Sequence, residues 1–224
     1  MNKQHNDSII RTRDLSKFYP NSKTNALRQA QVSIAGGEFV SITGPSGSGK
    51  TTFLNIIAGL IEPTQGEIFF RDLPYAEIKN KSLFRRKNIG FIFQDFYLYP
   101  GFTALENILI GRAHSLFTPR SWRTKAKELL SYLNMAAKAA DNVNTLSTGE
   151  RQRICIARAL MHEPCIILAD EPTGSLDTQN SKLITDILKA INAENGTTII
   201  IATHDQHVAA YAHRNITIED GLLH

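Results

Sequence analysis

Gly44-Pro45-Ser46-Gly47-Ser48-Gly49-Lys50-Thr51-Thr52 decides the reading of this chain, because of what stands on either side of it. Upstream, Glu38 to Thr43 is an apolar run that reads as a strand; downstream, Thr51 to Leu60 reads as a helix. A glycine-rich loop between a strand and a helix can turn its backbone N–H groups inward around phosphate, and the helix adds the positive end of its dipole. The pattern assigns Lys50 to the β- and γ-phosphates of a nucleotide and the Thr51 hydroxyl to Mg²⁺.

Further along, Cys165 to Ala169 is a short run without polar alternation, as expected of a parallel strand covered on both faces. It ends on Asp170 and Glu171, and open α/β sheets place ligands at such carboxyl edges. Asp170 can hold Mg²⁺ directly or through water, and Glu171 can orient and deprotonate an attacking water. Adjacent acids after a strand are ordinarily loop residues; in a chain with a phosphate loop the functional reading is preferred. A helix follows, with Leu183, Ile184, Ile187, Leu188 and Ile191 as its buried stripe and Gly196 at its end. Thr197 to Ala202 reads as a second buried strand, and Ile216 to Ile218 before Asp220-Gly221 as one arm of a hairpin. Earlier, Ser8 to Arg13 and Ala26 to Ile34 read as strands around a polar turn at Asn21 to Asn25, and Gly66 to Phe70 and Ile89 to Phe93 as short strands. Between Phe102 and Met161 the pattern is largely helical, with Ala126, Leu129, Leu130 and Leu133 at helical spacing. Strands alternating with helices predict an α/β fold with a mostly parallel sheet.

A phosphate loop and an acidic strand end leave a nucleotide hydrolase and a kinase both open. Leu146-Ser147-Thr148-Gly149-Glu150, followed by Arg151-Gln152-Arg153 and a helix carrying Ile154, Ala157, Leu160 and Met161 on one face, separates them. Here the sequence resembles the ATP-binding cassette family over about Ser8 to Leu223. The resemblance implies a P-loop NTPase core with an antiparallel β subdomain and an inserted helical subdomain at about 95–162, in one domain of residues 8–224. Residues 1–7 are expected to form a flexible tail. By the same resemblance ATP is held by Gly44, Pro45, Ser46, Gly47, Ser48, Gly49, Lys50, Thr51 and Thr52. Tyr19 stacks on adenine. Gln94 links the nucleotide and its Mg²⁺ to the membrane partner, joining Thr51 and Asp170 at the metal. Glu171, Lys50 and His204 are the catalytic set, with His204 contacting the γ-phosphate. Ser147, Thr148, Gly149 and Glu150 form a signature that meets the ATP of an opposite subunit, and Asp177, in Ser175-Leu176-Asp177, lies on a loop that crosses between subunits. Thr148 and Glu150 depart from the family's commonest glycine and glutamine; Thr148 adds a Cβ close to phosphate, and Glu150 adds negative charge near it.

One copy of each motif per chain implies a homodimer, or a pair with a similar ATPase, around two ATP molecules. Three segments narrow the branch: Arg85-Arg86-Lys87-Asn88-Ile89-Gly90-Phe91-Ile92-Phe93-Gln94, Thr103-Ala104-Leu105-Glu106-Asn107, and Val208-Ala209-Ala210 ahead of Arg214 to Gly221. They resemble the lipoprotein-release and macrolide-export ATPases, which implies an integral membrane permease as partner and export, extraction or mechanical transmission as the task. A regulatory ATPase signalling through a membrane partner to cell-envelope enzymes is the alternative. Cassette proteins acting on nucleic acid carry paired cassettes or long insertions, neither of which is seen, so no nucleic-acid partner is expected.

Composition agrees with a globular chain: of 224 residues, 42% are hydrophobic and 21% charged, and a net charge of +4 is too small and too well mixed to argue for nucleic acid. The basic run Arg85-Arg86-Lys87 reads as a solvated face. The longest apolar stretches, Phe53 to Ile61 and Ile199 to Ala202, fall short of the roughly 20 residues a membrane helix needs. The polar start lacks the apolar core of a signal peptide, so the expected place is cytoplasmic, on the inner face of the membrane through the permease. Cys155 and Cys165 show no paired spacing and are expected to be reduced structural residues. Lys50→Ala is expected to abolish tight nucleotide binding, since Lys50 is the loop's main point charge. Tyr19→Ala removes only ring stacking, so it is expected to weaken binding less and to shift ATP and GTP by different amounts. Equilibrium titration with both nucleotides checks this, equal losses counting against adenine stacking.

Overall fold

A computed structural model describes residues 8–21, 23–110 and 119–224; the tail expected at 1–7 lies outside them. In chain order its elements are β1 (Ser8–Tyr19), β2 (Thr24–Ala35), β3 (Phe39–Thr43), α1 (Lys50–Ile57), β4 (Gln65–Phe70), β5 (Leu73–Pro74), α2 (Lys81–Asn88), β6 (Ile89–Ile92), α3 (Ala104–Ile110), α4 (Arg120–Tyr132), α5 (Thr148–Leu160), β7 (Ile166–Asp170), α6 (Thr178–Asn195), β8 (Thr198–Ala202), α7 (Gln206–Ala209), β9 (Arg214–Glu219) and β10 (Leu222–Leu223). The main sheet runs β10-β9-β3-β8-β7-β6, parallel throughout except for β10, which closes the expected hairpin on β9. A second sheet, β2-β1-β4-β5, is antiparallel.

Every residue of β3, β7 and β8 is buried, which is why these strands read as continuous apolar runs. One hydrophobic cluster, with Val40, Ile42, Phe53, Leu54, Ile166, Leu168 and Ile200, joins one face of the main sheet to α1 and the antiparallel sheet. The other face, through Phe39, Ile167, Ala169, Ile199 and Ile201, packs on α5 and α6. Strand alternation sorts neighbouring residues to opposite faces, so each helix layer has its own set of sheet residues.

Local differences from the sequence reading have local causes. The first two strands are longer than expected: β1 continues past Arg13 because Asp14, at φ 48, makes an irregularity in the pairing instead of an end. Helix α1 stops at Ile57, short of Leu60, with Gly59 at φ 62 just beyond. On α6, Ile184, Leu188 and Ile191 are buried and Ile187 is partly so, but Leu183 is 39% exposed and does not belong to the stripe. The short α2 has no apolar stripe to announce it; its residues Lys81 to Asn88 include none that is buried. Asn80 caps it through a bond from the Leu83 N–H.

Between β6 and β7 every regular element among the described residues is helical. Both cysteines are free, Cys155 buried and Cys165 half-buried, and burial pushes the Cys155 thiol up to about 11, which suits an inert, protonated group. Gly90 in the middle of β6 sets how closely α5 approaches the sheet. A Cβ there would lie 2.8 Å from the Ala159 carbonyl oxygen and 3.1 Å from Pro164 Cγ. Gly90→Val is therefore expected to cost about 1–3 kcal/mol through overpacking, seen as a lower urea midpoint with an unchanged slope.

Candidate functional site

Strand pairing assembles the site. In the parallel register Ile42 of β3 faces Ala202 of β8, and Ala202 faces Asp170 of β7, so these three strands end in one row. Beside them Ile92 of β6 faces Ala169. The loop from Gly44, the pair Asp170-Glu171, His204 and Gln94 thus all leave the same carboxyl edge, although they are far apart in sequence.

The phosphate loop is held in a shape that only glycine tolerates at its two ends. Gly44 has φ 144, and a Cβ there would lie 2.1 Å from the Ile218 carbonyl oxygen; Gly49 has φ 114, and its Cβ would lie 2.1 Å from that of Ala26. The loop is thereby wedged between β9 and β2. Below it, Ser41 and Thr43 both donate to the Asn215 Oδ1, at 3.0 and 3.1 Å, tying β3 to β9. Lys50 is buried, and its Nζ donates to the carbonyls of Gly44 and Pro45 at 2.8 and 3.0 Å. The Ser48 Oγ is buried with no partner, and a Cβ at Gly47 would meet nothing within 4 Å. An orphaned hydroxyl and an open loop centre fit a phosphate group.

Thr51 and Asp170, both expected at Mg²⁺, lie side by side: the Thr51 hydroxyl donates to Asp170 Oδ1 at 3.2 Å. Burial raises the Asp170 pKa and the neighbouring Glu171 adds to this, while the Thr51 bond and Lys50 oppose it. A hydroxyl beside a carboxylate suits a hard cation such as Mg²⁺. Glu171 takes φ 45, a conformation uncommon outside glycine, fixed by its N–H bond to the Ala202 carbonyl at 2.9 Å. One of its oxygens, Oε2, lies 2.9 Å from His204 Nδ1, so the pair is formed across β7 and β8. His204 is otherwise exposed.

Tyr19 stands at the end of β1 with the Lys17 ammonium 5.3 Å from its ring centroid. Gln94 is exposed, two residues past β6. Ser147 is the N-cap of α5: its hydroxyl accepts from the Glu150 N–H at 3.3 Å, and Glu150 accepts from the Ser147 N–H at 2.8 Å, a reciprocal capping box. That backbone bond holds the Glu150 carboxyl below its usual range. The charge expected to approach phosphate is therefore turned back on the helix start. Thr148 is the first helical residue and half-buried. Gly149 is buried, and a Cβ on it would meet the Asn180 Oδ1 at 2.5 Å. Asn180 in turn donates from its backbone N and Nδ2 to Asp177, the N-cap of α6, at 2.8 and 2.7 Å. The signature and the Asp177 loop thus rest on each other inside one chain. Asn180 was not singled out by the sequence reading; Asp177, three residues before it, carries the N-cap signal that would have found it.

Residues 27–174 match the protein family described as ABC transporter. The chain belongs to that family. As an ABC cassette it is 41% identical over 221 residues to the uncharacterized ABC transporter ATP-binding protein MJ0796 of Methanocaldococcus jannaschii, covering 95% of this chain and 94% of that one. It is 40% identical over 217 residues to the lipoprotein-releasing system ATP-binding protein LolD of Bacteroides thetaiotaomicron, covering 96% and 99%. Among solved structures, a dimeric post-hydrolysis state of MJ0796 bound to ADP and Pi superposes with a TM-score of 0.86 at 39% identity, covering 96% of each chain. The cassette is an ABC-type ATPase of the branch that includes LolD and MJ0796. Among the described residues no helix is long and apolar enough to cross a membrane.

Asp170 is a buried carboxylate whose pKa burial raises. A group whose folded pKa is raised favours the folded state only while protonated, so its contribution is lost as pH rises through that raised value. Asp170→Asn keeps an acceptor for Thr51 and removes the charge. It is expected to stabilise the nucleotide-free cassette at neutral pH by on the order of 1 kcal/mol while abolishing turnover. Unfolding curves check the sign: the gap from the parent should narrow as pH falls through the raised Asp170 value and be closed by the ordinary aspartate value of about 4.

Proposed function

We propose that two copies of this cassette, or one copy and a similar ATPase, close around two ATP molecules and drive a separate integral membrane subunit. The observation that carries this reading is the convergence of Lys50, the Thr51–Asp170 pair and the Glu171–His204 pair on one sheet edge, while Ser147 sits exposed at the start of a different helix. Complementary halves on separate elements call for two chains.

In this reading the N–H groups of the loop from Gly44 to Gly49 surround the phosphates, and Lys50 leaves the carbonyls of Gly44 and Pro45 for the β- and γ-phosphates. Tyr19 stacks on adenine. Thr51, Asp170 and Gln94 hold Mg²⁺, which when bound neutralises the charge that develops on the phosphates. Among the described residues no group of three or more His, Cys, Asp or Glu forms a metal site, so further ligands come from phosphate and water. Glu171 takes a proton from the attacking water, and His204, turning from Glu171, contacts the γ-phosphate. Across the interface Ser147 and the N–H groups at the start of α5, including Gly149, donate to that same phosphate, with Thr148 beside them. Glu150 fixes Ser147, and Asp177 shapes the crossing loop. Loss of the γ-phosphate removes what both chains hold, and the pair loosens. The division into a core and a helical subdomain at about 95–162 belongs to this reading, as does a place on the inner membrane face through the permease, with LolD-like export or extraction as its task.

Glu171→Gln keeps the shape and removes the base, so ATP turnover is expected to fall about a hundredfold or more with nucleotide binding retained, and ATP should trap a dimer by light scattering. Adding Ser147→Arg should abolish that dimer while ATP still binds the monomer. A stable ATP dimer surviving Ser147→Arg would remove the reading's main support.

A further inference from the structure

Helix α5 begins at the signature, but its opposite end grips another part of the molecule. Arg151, Cys155 and Arg158 are spaced at i, i+4 and i+7 and so lie along one helix face. All three engage Phe96, two residues after Gln94, and Arg158 also engages Tyr97. The Arg158 guanidinium donates through Nη1 to the Tyr97 carbonyl at 2.6 Å and through Nη2 to the Phe96 carbonyl at 2.7 Å. The Cys155 thiol donates to the same Phe96 oxygen at 3.3 Å, and the Arg151 guanidinium lies 5.5 Å from the Phe96 ring centroid. Tyr97 itself sits at φ 44, a conformation that needs outside support in a residue with a side chain. Farther along, the buried amide of Asn107 accepts from the Tyr99 N–H and donates to the carbonyls of Tyr99, Phe102 and Thr103. The segment from Gln94 to Thr103 is therefore fixed at its start to α5 and at its end to α3.

We propose that Arg158 is a positioning residue for ATP-driven pairing: its two bonds to Phe96 and Tyr97 make the Gln94 loop and the signature helix move as one body. This rests on the reading of Ser147 as the interfacial signature. The planar, always-charged guanidinium binds two carbonyls at once, which an ammonium cannot reproduce. A 13-residue helix spans about 20 Å, and Ser147 and Arg158 are near its two ends. A displacement of the Phe96–Tyr97 segment is thus delivered to Ser147 through a rigid helix. Arg158 touches neither phosphate nor water in this scheme.

The test uses the full chain in the Glu171→Gln background and compares Arg158→Ala, Arg158→Lys and Ser147→Arg. Two quantities are read: ATP affinity of the monomer, from a fluorescent analogue, and the protein concentration at which ATP half-dimerises the sample, from light scattering. Arg158→Ala is expected to leave monomer affinity within about twofold and to raise the dimerisation midpoint about tenfold or more. Arg158→Lys, which keeps one bond, should fall between. With Glu171 restored, Arg158→Ala should lower kcat and spare KM. Dimerisation of Arg158→Ala at the parent's midpoint overturns the inference, as does a parallel loss of ATP affinity and thermal stability in both Arg158 variants, which marks a folding role. If Ser147→Arg blocks the dimer and Arg158→Ala does not, only this inference fails. If Ser147→Arg also dimerises, the signature reading itself fails.

Discussion

Parallel hydrogen bonding between β3, β8 and β7 is the constraint on which the molecule depends. Their register puts Ile42, Ala202 and Asp170 in one row, and the residues just past that row are the loop, the histidine and the acid pair. A slip of one residue in β7 would turn Asp170 to the other face of the sheet. Close packing on both faces opposes it, because a shifted strand would have to refit its side chains into both clusters at once. The layers of helix on either side thus do more than add stability: they fix the register that makes the site.

Around this edge the fold tolerates several locally unfavourable features. Glu171 stands in a left-handed conformation, Asp170 is a buried carboxylate, and Ser48 keeps an unpaired hydroxyl. Each costs about 1–3 kcal/mol by general experience, and together they mark where the structure gives up stability for chemistry. Away from that edge local preference and tertiary packing agree. The capping box at α5, the Asp177 cap of α6 and the left-handed Gly196 at its C-terminus all follow the rules for helix ends.

That agreement explains what could be read from the chain. The loop between β3 and α1 was legible because its two ends must be glycine, where a Cβ would strike the Ile218 and Ala26 carbonyls. Apolar runs identified β7 and β8 because both of their faces are covered. Reading failed where the determinants are contacts between distant segments. The extension of β1 past Asp14 depends on pairing with β2 and β4, and Asp14 alone looks like a strand end. Leu183 fits a helical stripe by spacing, yet it lies exposed on α6. Asn180 and Arg158 carry no local pattern that points to them; their meaning lies in the glycine and the carbonyls they reach.

Tyr97 combines a bulky side chain with a left-handed backbone, and that pairing bears on how the neighbouring segment can change shape. A glycine at this point would have made the turn without strain and allowed a continuous spread of conformations. A tyrosine leaves two separate basins: the observed one, sustained by outside contacts, and the ordinary region of negative φ, with a steric barrier between them. The backbone here behaves as a latch with two positions and not as a spring, so any rearrangement of this segment is a step between discrete shapes.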